Sequence, residues 1–344
     1  MASPAGIFQF LRGQLMQTPP LPTTDLVDRT IIVTGANTGL GLECAKHLVR
    51  LNVSRLILAC RSIDKGEAAR KVLLSAKPTR QTAKTTIEVW PLDMSSYASV
   101  LKFGDRCQNS LTRLDAVVEN AGICQPSYTL AEDNESTITV NVISTFLLAL
   151  LLLPKLLESA ARYGTIARLT IVGSVVHFWA NTKDLDVVPG QSILDRLNEK
   201  KTANMEDRYN MSKLLVMLCV RKLAVQLTAS SHGGGEATKK PFVVVNNVAP
   251  GWCQTALFRN ESWGAGQNLA LRMLGRSSEV GARTLVHGAT DAQKESHGEY
   301  LSECQVKKAS PFVRSTKGKE AQERFWQELV VKLEKIRPGV TEIM

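Results

Sequence analysis

The chain has 344 residues, 44% of them hydrophobic and 22% charged, which is the composition of a globular protein with a sizeable core. Its net charge of +10 is dispersed and lacks the clustered basic face that nucleic-acid binding favours, so we expect no nucleic-acid partner. The seven cysteines are scattered and form no CxxC pair, which indicates reduced thiols in a cytoplasmic protein rather than disulfides or a zinc site.

The N-terminal segment predicts a short helix and no membrane span. Its first 17 residues lack the long apolar core of a secretory signal. We expect one face of this helix to pack on the body of the protein, with peripheral membrane association as the alternative. That face carries Ile7, Phe8, Leu11 and Leu15. The longest apolar run, Phe146–Leu153, is far shorter than the ~20 residues that cross a bilayer and predicts a buried helix.

Strand-like and helix-like segments alternate from about residue 28 to residue 305. The strand-like segments are apolar throughout, which is typical of parallel strands covered by helices on both faces. They lie at 30–35, 55–61, 85–93, 114–122, 167–174 and 241–251. Two of the predicted helices are long, near 131–161 and 208–227. The pattern predicts one doubly wound α/β domain, a Rossmann fold with a single parallel sheet and helices on both faces.

Two segments flank this predicted domain of residues 28–305. Residues 1–27 are expected to be a leader with a short helix, and residues 306–344 a C-terminal helical extension. The amphipathic stretch 318–336 predicts a helix that packs on the edge of the domain. Its apolar positions are Phe325, Trp326, Leu329 and Leu333.

The first strand leads into TGANTGLG, in which Gly35, Gly39 and Gly41 open a helix. Glycines let the backbone turn tightly and approach a pyrophosphate, which rests on the helix N-terminus. The second strand is followed by Arg61 rather than the Asp or Glu of NAD sites. A guanidinium there suits a 2′-phosphate, so the sequence favours NADP(H), although a solvated arginine is the simpler alternative.

Tyr209 and Lys213 stand four positions apart in YNMSK, so one helix face can present both to a cleft. The spacing is weak evidence by itself. We expect the ammonium of Lys213 to lower the phenol pKa of Tyr209 from its usual value of about 10. The tyrosine would then protonate an alkoxide during reduction, or accept the proton during oxidation.

Six motifs follow one another along the chain. They are TGANTGLG, Asp93 in LDMSS, NAG at 120–122, Ser174 in IVGSVVH, YNMSK at 209–213 and PGWCQT at 250–255. This order resembles the short-chain dehydrogenase/reductase family over about residues 28–305. ANTGLGLECAKHL and LILACRS are most similar to its retinol-dehydrogenase-like branch. QTPPLPTTD and NVAPGWCQTALFR resemble fungal members, many of which act in secondary-metabolite pathways.

The resemblance implies a role for each matching residue. Tyr209 is the expected acid/base, and Lys213 is its partner and also binds the nicotinamide ribose. Ser174 is expected to hydrogen-bond the substrate carbonyl or hydroxyl, and Asn141 to hold a water in a proton relay. The expected cofactor contacts, besides Tyr209 and Lys213, are Gly35, Asn37, Thr38, Gly39, Leu40, Gly41, Arg61, Asp93, Asn120, Ala121, Gly122, Pro250, Gly251 and Thr255.

Some positions have plainer alternatives or depart from the family pattern. Asp93, the expected adenine contact, could simply cap the next helix. We interpret His177 as a structural or site-rim residue, because the five scattered histidines give no metal-ligand spacing and predict no metal site. Glu119 stands where many members have Asn, and Gly173 stands where many have Ser.

The separation of 35 positions between Ser174 and Tyr209 is longer than usual. We expect residues 178–205 to form a loop and a short helix beside a cleft for a bulky, hydrophobic small molecule. Residues 178–205 and residues 256–275 together supply apolar side chains for this cleft, namely Phe178, Trp179, Leu257, Phe258 and Trp263.

The sequence thus favours an oxidoreductase that interconverts a hydrophobic ketone and a secondary alcohol. A dehydratase or epimerase reaction at the same site, or a non-catalytic dinucleotide-sensing protein, are the alternatives. The sequence allows a homo-oligomer that pairs through the two long helices, and it equally allows a C-terminal extension that covers them.

Overall fold

A computed structural model of the chain describes residues 4–75, 85–188, 190–232, 242–254 and 274–344. The strands, in chain order, are β1 (Thr30–Thr34), β2 (Arg55–Cys60), β3 (Thr86–Pro91), β4 (Ala116–Glu119), β5 (Leu130–Ala131), β6 (Asn134–Glu135), β7 (Ile166–Val172), β8 (Phe242–Ala249), β9 (Tyr300–Ser302) and β10 (Gln305–Lys307). Within these ranges an eight-stranded sheet has the order β10-β9-β8-β7-β4-β1-β2-β3. Its strands pair in parallel, except that β10 runs antiparallel to β9.

Helices cover both faces of the sheet. They are α1 (Pro4–Met16), α2 (Gly39–Arg50), α3 (Ile63–Ser75), α4 (Tyr97–Ser110), α5 (Ser136–Ile138), α6 (Thr145–Tyr163), α7 (Ile193–Asn198), α8 (Met205–His232), α9 (Ser278–Thr290), α10 (Pro311–Arg314) and α11 (Thr316–Ile336). One apolar core joins the sheet to α4, α6, α8 and α11, and a second joins it to α2, α3 and α9. The predicted doubly wound α/β fold is confirmed.

The strands read as apolar throughout because both of their faces are buried. In β1, the side chain of Ile32 lies in the first core, whereas those of Ile31 and Val33 lie in the second. Side chains alternate along a strand, so a strand between two cores needs apolar residues at every position. The sheet order reverses direction at β1, between β2 and β4, and doubly wound folds bind ligands at the carboxyl edge of such a point.

The helix predicted near 131–161 begins later than expected. Residues 130–135 form the β5–β6 hairpin, and the helix starts at Ser136. Its first turns are capped by the Glu135 carboxylate, which accepts hydrogen bonds from the N–H groups of Thr137 and Ile138. A π-helical turn, Thr139–Ser144, then precedes α6.

The span Ser136–Tyr163 is the one helix in the described ranges that is long and apolar enough to cross a membrane. However, 94% of its most apolar window is buried inside the protein. This is the behaviour of a core helix, so the buried helix predicted at Phe146–Leu153 is confirmed.

The C-terminal helix α11 buries the predicted apolar positions and packs on the helices α6 and α8. Trp326 packs edge to face on Phe146 of α6, with ring centroids 6.0 Å apart. On the polar side, the Glu328 carboxylate accepts hydrogen bonds from the N–H groups of Ile193 and Leu194 at the start of α7. Helix α11 therefore covers part of the surface that the two long helices, α6 and α8, would need for pairing between subunits. The buried residues are Phe325, Trp326, Leu329 and Leu333.

The predicted N-terminal helix is present as α1, but the expected packing face is wrong. Leu11 is 40% exposed and Leu15 is 57% exposed. Gly13 and Gln14 are buried instead, because α1 docks through a close approach at the glycine and hydrogen bonds from the amide. The positions of apolar residues do not predict the packing face of a helix that docks through polar groups. The side chains of Ile7 and Phe8 lie outside the described part of the chain.

Candidate active site

The glycine-rich turn after β1 is built for a close backbone approach. Gly35 and Gly39 have φ angles of 63° and 54°, in the left-handed region that favours glycine. A Cβ on Gly41 would lie 2.4 Å from the carbonyl oxygen of Gly35. Thr38 precedes α2 without a side-chain capping bond, so the first amides of α2 are available to an anion. This cradle, which also contains Asn37 and Leu40, fits a pyrophosphate.

The NAG segment is fixed to this turn by two side chains. Thr34 Oγ1 accepts hydrogen bonds from the N–H groups of Asn120 and Ala121, each at 2.9 Å. Asn120 Nδ2 donates to the carbonyl oxygen of Thr34 at 2.9 Å. A Cβ on Gly122 would lie 3.8 Å from Lys213 Nζ. The segment therefore runs from the glycine-rich turn to Lys213.

Arg61 and Asp93 follow β2 and β3 at the same edge of the sheet. Arg61 is exposed and forms no ion pair with any residue of the described ranges. Asp93 Oδ1 accepts hydrogen bonds from the N–H and the hydroxyl of Ser95, at 2.9 and 2.6 Å. The residue that caps α4 is Ser96, so the alternative that Asp93 caps this helix is wrong.

Ser174, Tyr209 and Lys213 meet at the end of β7. The side chain of Ser174 hydrogen-bonds to Tyr209. Lys213 Nζ donates to the carbonyl oxygen of Val172 at 2.8 Å and lies 5.6 Å from the centre of the Tyr209 ring. One turn of α8 therefore directs both Tyr209 and Lys213 toward the strand that carries Ser174.

Asn141 lies in the π-helical turn and connects the NAG segment to α8. Its Oδ1 accepts from the N–H of Ile123, and its Nδ2 donates to the Ile123 carbonyl, both at 2.9 Å. Nδ2 also donates to Ser212 Oγ at 3.0 Å, and Ser212 Oγ donates to the Tyr209 carbonyl at 2.8 Å. Single π-helical turns often mark functional sites, and this one carries the fourth candidate residue.

The electrostatics of the tyrosine differ from our expectation. Burial raises the phenol pKa of Tyr209, the nearby Cys124 thiol raises it further, and the Ser174 hydrogen bond lowers it. Burial also lowers the pKa of Lys213 to about 8. The expectation of a lowered phenol pKa is therefore wrong for the protein without its cofactor, since desolvation of the phenol is the largest cause of the shift. At pH 7 the phenol keeps its proton and the lysine is mostly charged.

His177 is a structural residue that supports the Ser174 segment. Its Nε2 accepts a hydrogen bond from the Ser310 N–H at 3.1 Å, so Nδ1 carries the proton and donates to the Ser174 carbonyl at 2.7 Å. Burial lowers the His177 pKa to about 4, so the ring is neutral. No local sequence pattern predicts the link to Ser310, because the two residues are 133 positions apart along the chain.

Gly173 and Glu119, the two positions that differ from the common family pattern, lie in different environments. A Cβ on Gly173 would lie 2.1 Å from Asn247 Oδ1, so the asparagine fills the space that a serine would need. Glu119 is buried in β4, and neither of its oxygens has a hydrogen-bond partner in the described chain. Burial raises its pKa well above the usual range.

Only some of the large apolar residues expected to line the substrate cleft lie in the described part of the chain. Phe178 packs on His177, with ring centroids 4.4 Å apart. Trp179 packs on Phe10 of α1, a partner that the sequence pattern does not predict because the two residues are far apart along the chain. Pro250 and Gly251 follow β8 at the carboxyl edge of the sheet. Four expected residues, Thr255, Leu257, Phe258 and Trp263, lie outside the described residues.

Comparison with known proteins gives full-length relatives. A family model described as short chain dehydrogenase matches residues 29–181. The chain is 46% identical over 334 residues to the short chain dehydrogenase/reductase dmxR8 of Cryptosporiopsis sp., covering 96% of this chain and 98% of that protein. It is 41% identical over 336 residues to the short-chain dehydrogenase anuD of Penicillium roqueforti, covering 96% and 84%.

Solved structures share the fold at low sequence identity. Salutaridine reductase from Papaver somniferum matches with a TM-score of 0.57 and 18% identity, over 79% of this chain and 99% of that one. A short chain dehydrogenase from Shigella flexneri, complexed with NADP, matches with a TM-score of 0.54 and 19% identity, over 83% and 100%. The relatives dmxR8 and anuD come from fungi, as predicted, and the retinol-dehydrogenase-like branch stays a prediction. The chain belongs to the short-chain dehydrogenase/reductase family of nicotinamide-dependent oxidoreductases.

Proposed function

We propose that this protein is an NADP(H)-dependent reductase that interconverts a hydrophobic ketone and a secondary alcohol. The observation that carries the proposal is the meeting of Ser174, Tyr209 and Lys213 at the carboxyl end of β7. It is supported by Asn141, whose amide connects the same helix to the NAG segment. These four residues have the donors and acceptors that proton transfer to a carbonyl oxygen needs.

In the proposed mechanism, Ser174 and Tyr209 both donate hydrogen bonds to the substrate oxygen. The cofactor supplies the hydride. As negative charge develops on the oxygen, Tyr209 gives up its proton to it. The positive charge of Lys213 stabilises the phenolate that remains, because an opposite charge favours the ionised form. The phenol of Tyr209 is protonated at pH 7, as a proton donor requires.

The cofactor preference rests on the adenosine end of the site. The glycine-rich cradle and the first amides of α2 would hold the pyrophosphate, and Asp93 would contact the adenine. Arg61, exposed and without an ion pair among the described residues, would hold the 2′-phosphate of NADP(H). Lys213 and Tyr209 would hold the nicotinamide ribose, beside Pro250 and Gly251. The contact assigned to Thr255 rests on the family resemblance alone, because this residue lies outside the described ranges.

The substrate class and setting are inferred from the surroundings of the site. Phe178 and Trp179 stand beside Ser174 in the chain, which supports a bulky apolar ketone. The fungal relatives support a role in secondary-metabolite biosynthesis, and the two aromatic rings support a substrate of the aromatic, polyketide type. The free cysteines support a cytoplasmic location.

Two measurements test this function. Titration with NADPH and NADH should show tighter binding of NADPH, and Arg61→Ala should reduce that preference by about tenfold or more, because an Arg–phosphate hydrogen bond contributes about 1.5–3 kcal/mol. Arg70→Ala, which removes an arginine of α3 paired with Glu67, should leave the preference unchanged. NADPH consumption should then be measured with a panel of bulky aryl ketones. Tight NADPH binding without turnover of any ketone would contradict the proposed reaction.

A further inference from the structure

Helix α1 lies beside the proposed active site. Phe10 packs edge to face on Trp179, with ring centroids 5.7 Å apart and an interplanar angle of 88°. A small pocket next to this pair is lined by Phe10, Val175, Phe178, Gly251 and Tyr300, among others. Val175 directly follows Ser174, and Gly251 directly follows Pro250. The pocket therefore joins α1 to two segments of the site.

Gln14 docks α1 with its whole amide group. Its Oε1 accepts from the N–H of Trp252 at 3.0 Å. Its Nε2 donates to the carbonyl oxygens of Trp252 and Leu274, at 3.0 and 2.8 Å. The side chain is buried, and a buried amide with three partners fixes a specific orientation.

Arg276 holds the C-terminal end of α1. Its guanidinium donates to the carbonyl oxygens of Gly13, in the last turn of the helix, and of Gln17, just after it, where a positive charge also suits the helix dipole. It also pairs with Glu303 at 3.1 Å, and both side chains are buried. Lys307 adds a second cation at 3.2 Å from Glu303. A buried charge network of this kind is costly to break, so α1 is held against β9 and β10.

Gly251 shows how closely α1 approaches the loop after β8. A Cβ at this position would lie 2.8 Å from Gln14 Oε1 and 2.6 Å from Arg276 Nη1. The φ angle of 84° also favours glycine. The glycine of the PGW motif is thus required by the docking of α1, and the helix and the loop form one packed unit.

We infer that α1 is a wall of the substrate cleft and that Phe10 is a specificity-determining residue that favours bulky aromatic ketones. The inference rests on the proposed function, since it names the substrate determinant of the same site. Phe10 and Phe178 line the pocket, together with Tyr300 and the polar Ser302 and Glu303, and Trp179 supports Phe10 from behind. The rings of Phe10 and Phe178 would offer apolar surface and edge-to-face contacts to a flat ligand. A small ketone bound at Ser174 would not gain from that surface.

The test compares 2-acetonaphthone with acetone in the full-length protein. Phe10→Ala should lower kcat/KM for 2-acetonaphthone by about tenfold or more, mainly through KM, because it removes buried apolar contact. The value for acetone and the Kd of NADPH should stay within about twofold. Gln14→Ala should reproduce the selective loss, because it releases the helix that holds Phe10. Leu11→Ala, on the exposed face of the same helix, should change none of these quantities.

Binding of 2-acetonaphthone to the NADP⁺-loaded protein, measured by calorimetry, separates this inference from the reductase function. Weaker binding in Phe10→Ala, with no turnover in the unaltered protein, would support the wall and contradict the reaction. An equal loss for both ketones, or no loss, would overturn the wall even if the protein is a reductase. Failure of the unaltered protein to bind 2-acetonaphthone would also overturn it.

Discussion

At the scale of single residues, burial sets the charge states of the site. It raises the pKa of Tyr209 and lowers that of Lys213, so each group is pushed toward its neutral form. The lysine nevertheless stays mostly protonated at pH 7, because its pKa of about 8 lies above that pH. The sequence predicted that these two residues share a cleft, but it could not predict their pKa values, which depend on the atoms that exclude water around them.

The lowered pKa of Lys213 predicts the pH dependence of the reaction. Below about pH 8 the ammonium is present, and above it the charge that stabilises the phenolate is lost. We expect kcat/KM for ketone reduction to be level from pH 6 to pH 7.5 and then to fall about tenfold per pH unit, as loss of one essential proton requires. In Lys213→Arg, which stays charged, the overall rate should be lower but the alkaline fall should disappear. A fall centred near the ordinary lysine value of about 10.4 would contradict this account.

At the scale of elements, the ends of strands position the site and the helices tie it together. The parallel strands could be predicted from their apolar runs, and the motifs after β1, β4, β7 and β8 could be placed at one edge of the sheet. The hairpin before α5 and the π-helical turn at Asn141 could not be predicted from the sequence, because each depends on tertiary contacts. The side-chain amide of Asn141 hydrogen-bonds to Ile123, a residue 18 positions away, and the spacing of apolar residues does not indicate such a bond.

Gly173 provides a test of how β7 and β8 position Ser174. Gly173→Ala would place a Cβ 2.1 Å from Asn247 Oδ1, which is far closer than atoms can pack, so we expect a destabilisation of about 1–3 kcal/mol and a lower kcat. Asn247→Ala in the same chain should restore much of both, since it vacates the space. Thermal unfolding and turnover of the two single variants and the double variant give the coupling between the sites. Additive effects would show that the asparagine does not occupy the space that the alanine needs.

At the scale of the whole molecule, both ends of the chain pack on the sheet domain. Helix α1 lies beside the site, and α11 buries a row of apolar side chains against α6 and α8. The row of apolar residues on α11 was predictable from its 3.6-residue period. The helices against which the row packs were not predictable, since an apolar face can pack on any other apolar surface. The packing face of α1 was misjudged because it docks through Gln14 and Gly13 rather than through leucines.

The contribution of α11 can be measured at Trp326. This side chain is 2% exposed and packs on Phe146, so Trp326→Ala should reduce the free energy of unfolding by about 3–5 kcal/mol. Val331→Ala, on the exposed side of the same helix, should leave it nearly unchanged. Denaturant unfolding checks both values. Equal stability of the two variants would mean that α11 adds little to the fold.

The central claim is that Tyr209 is the proton donor of a reductase. The most direct measurement is the turnover number of Tyr209→Phe with a bulky ketone and NADPH, alongside the Kd of NADPH. Because the variant keeps the ring and loses only the hydroxyl, we expect kcat to fall by about 10²–10⁴-fold with little change in NADPH binding. Turnover equal to that of the unaltered protein, with NADPH still bound, would contradict the proposed mechanism.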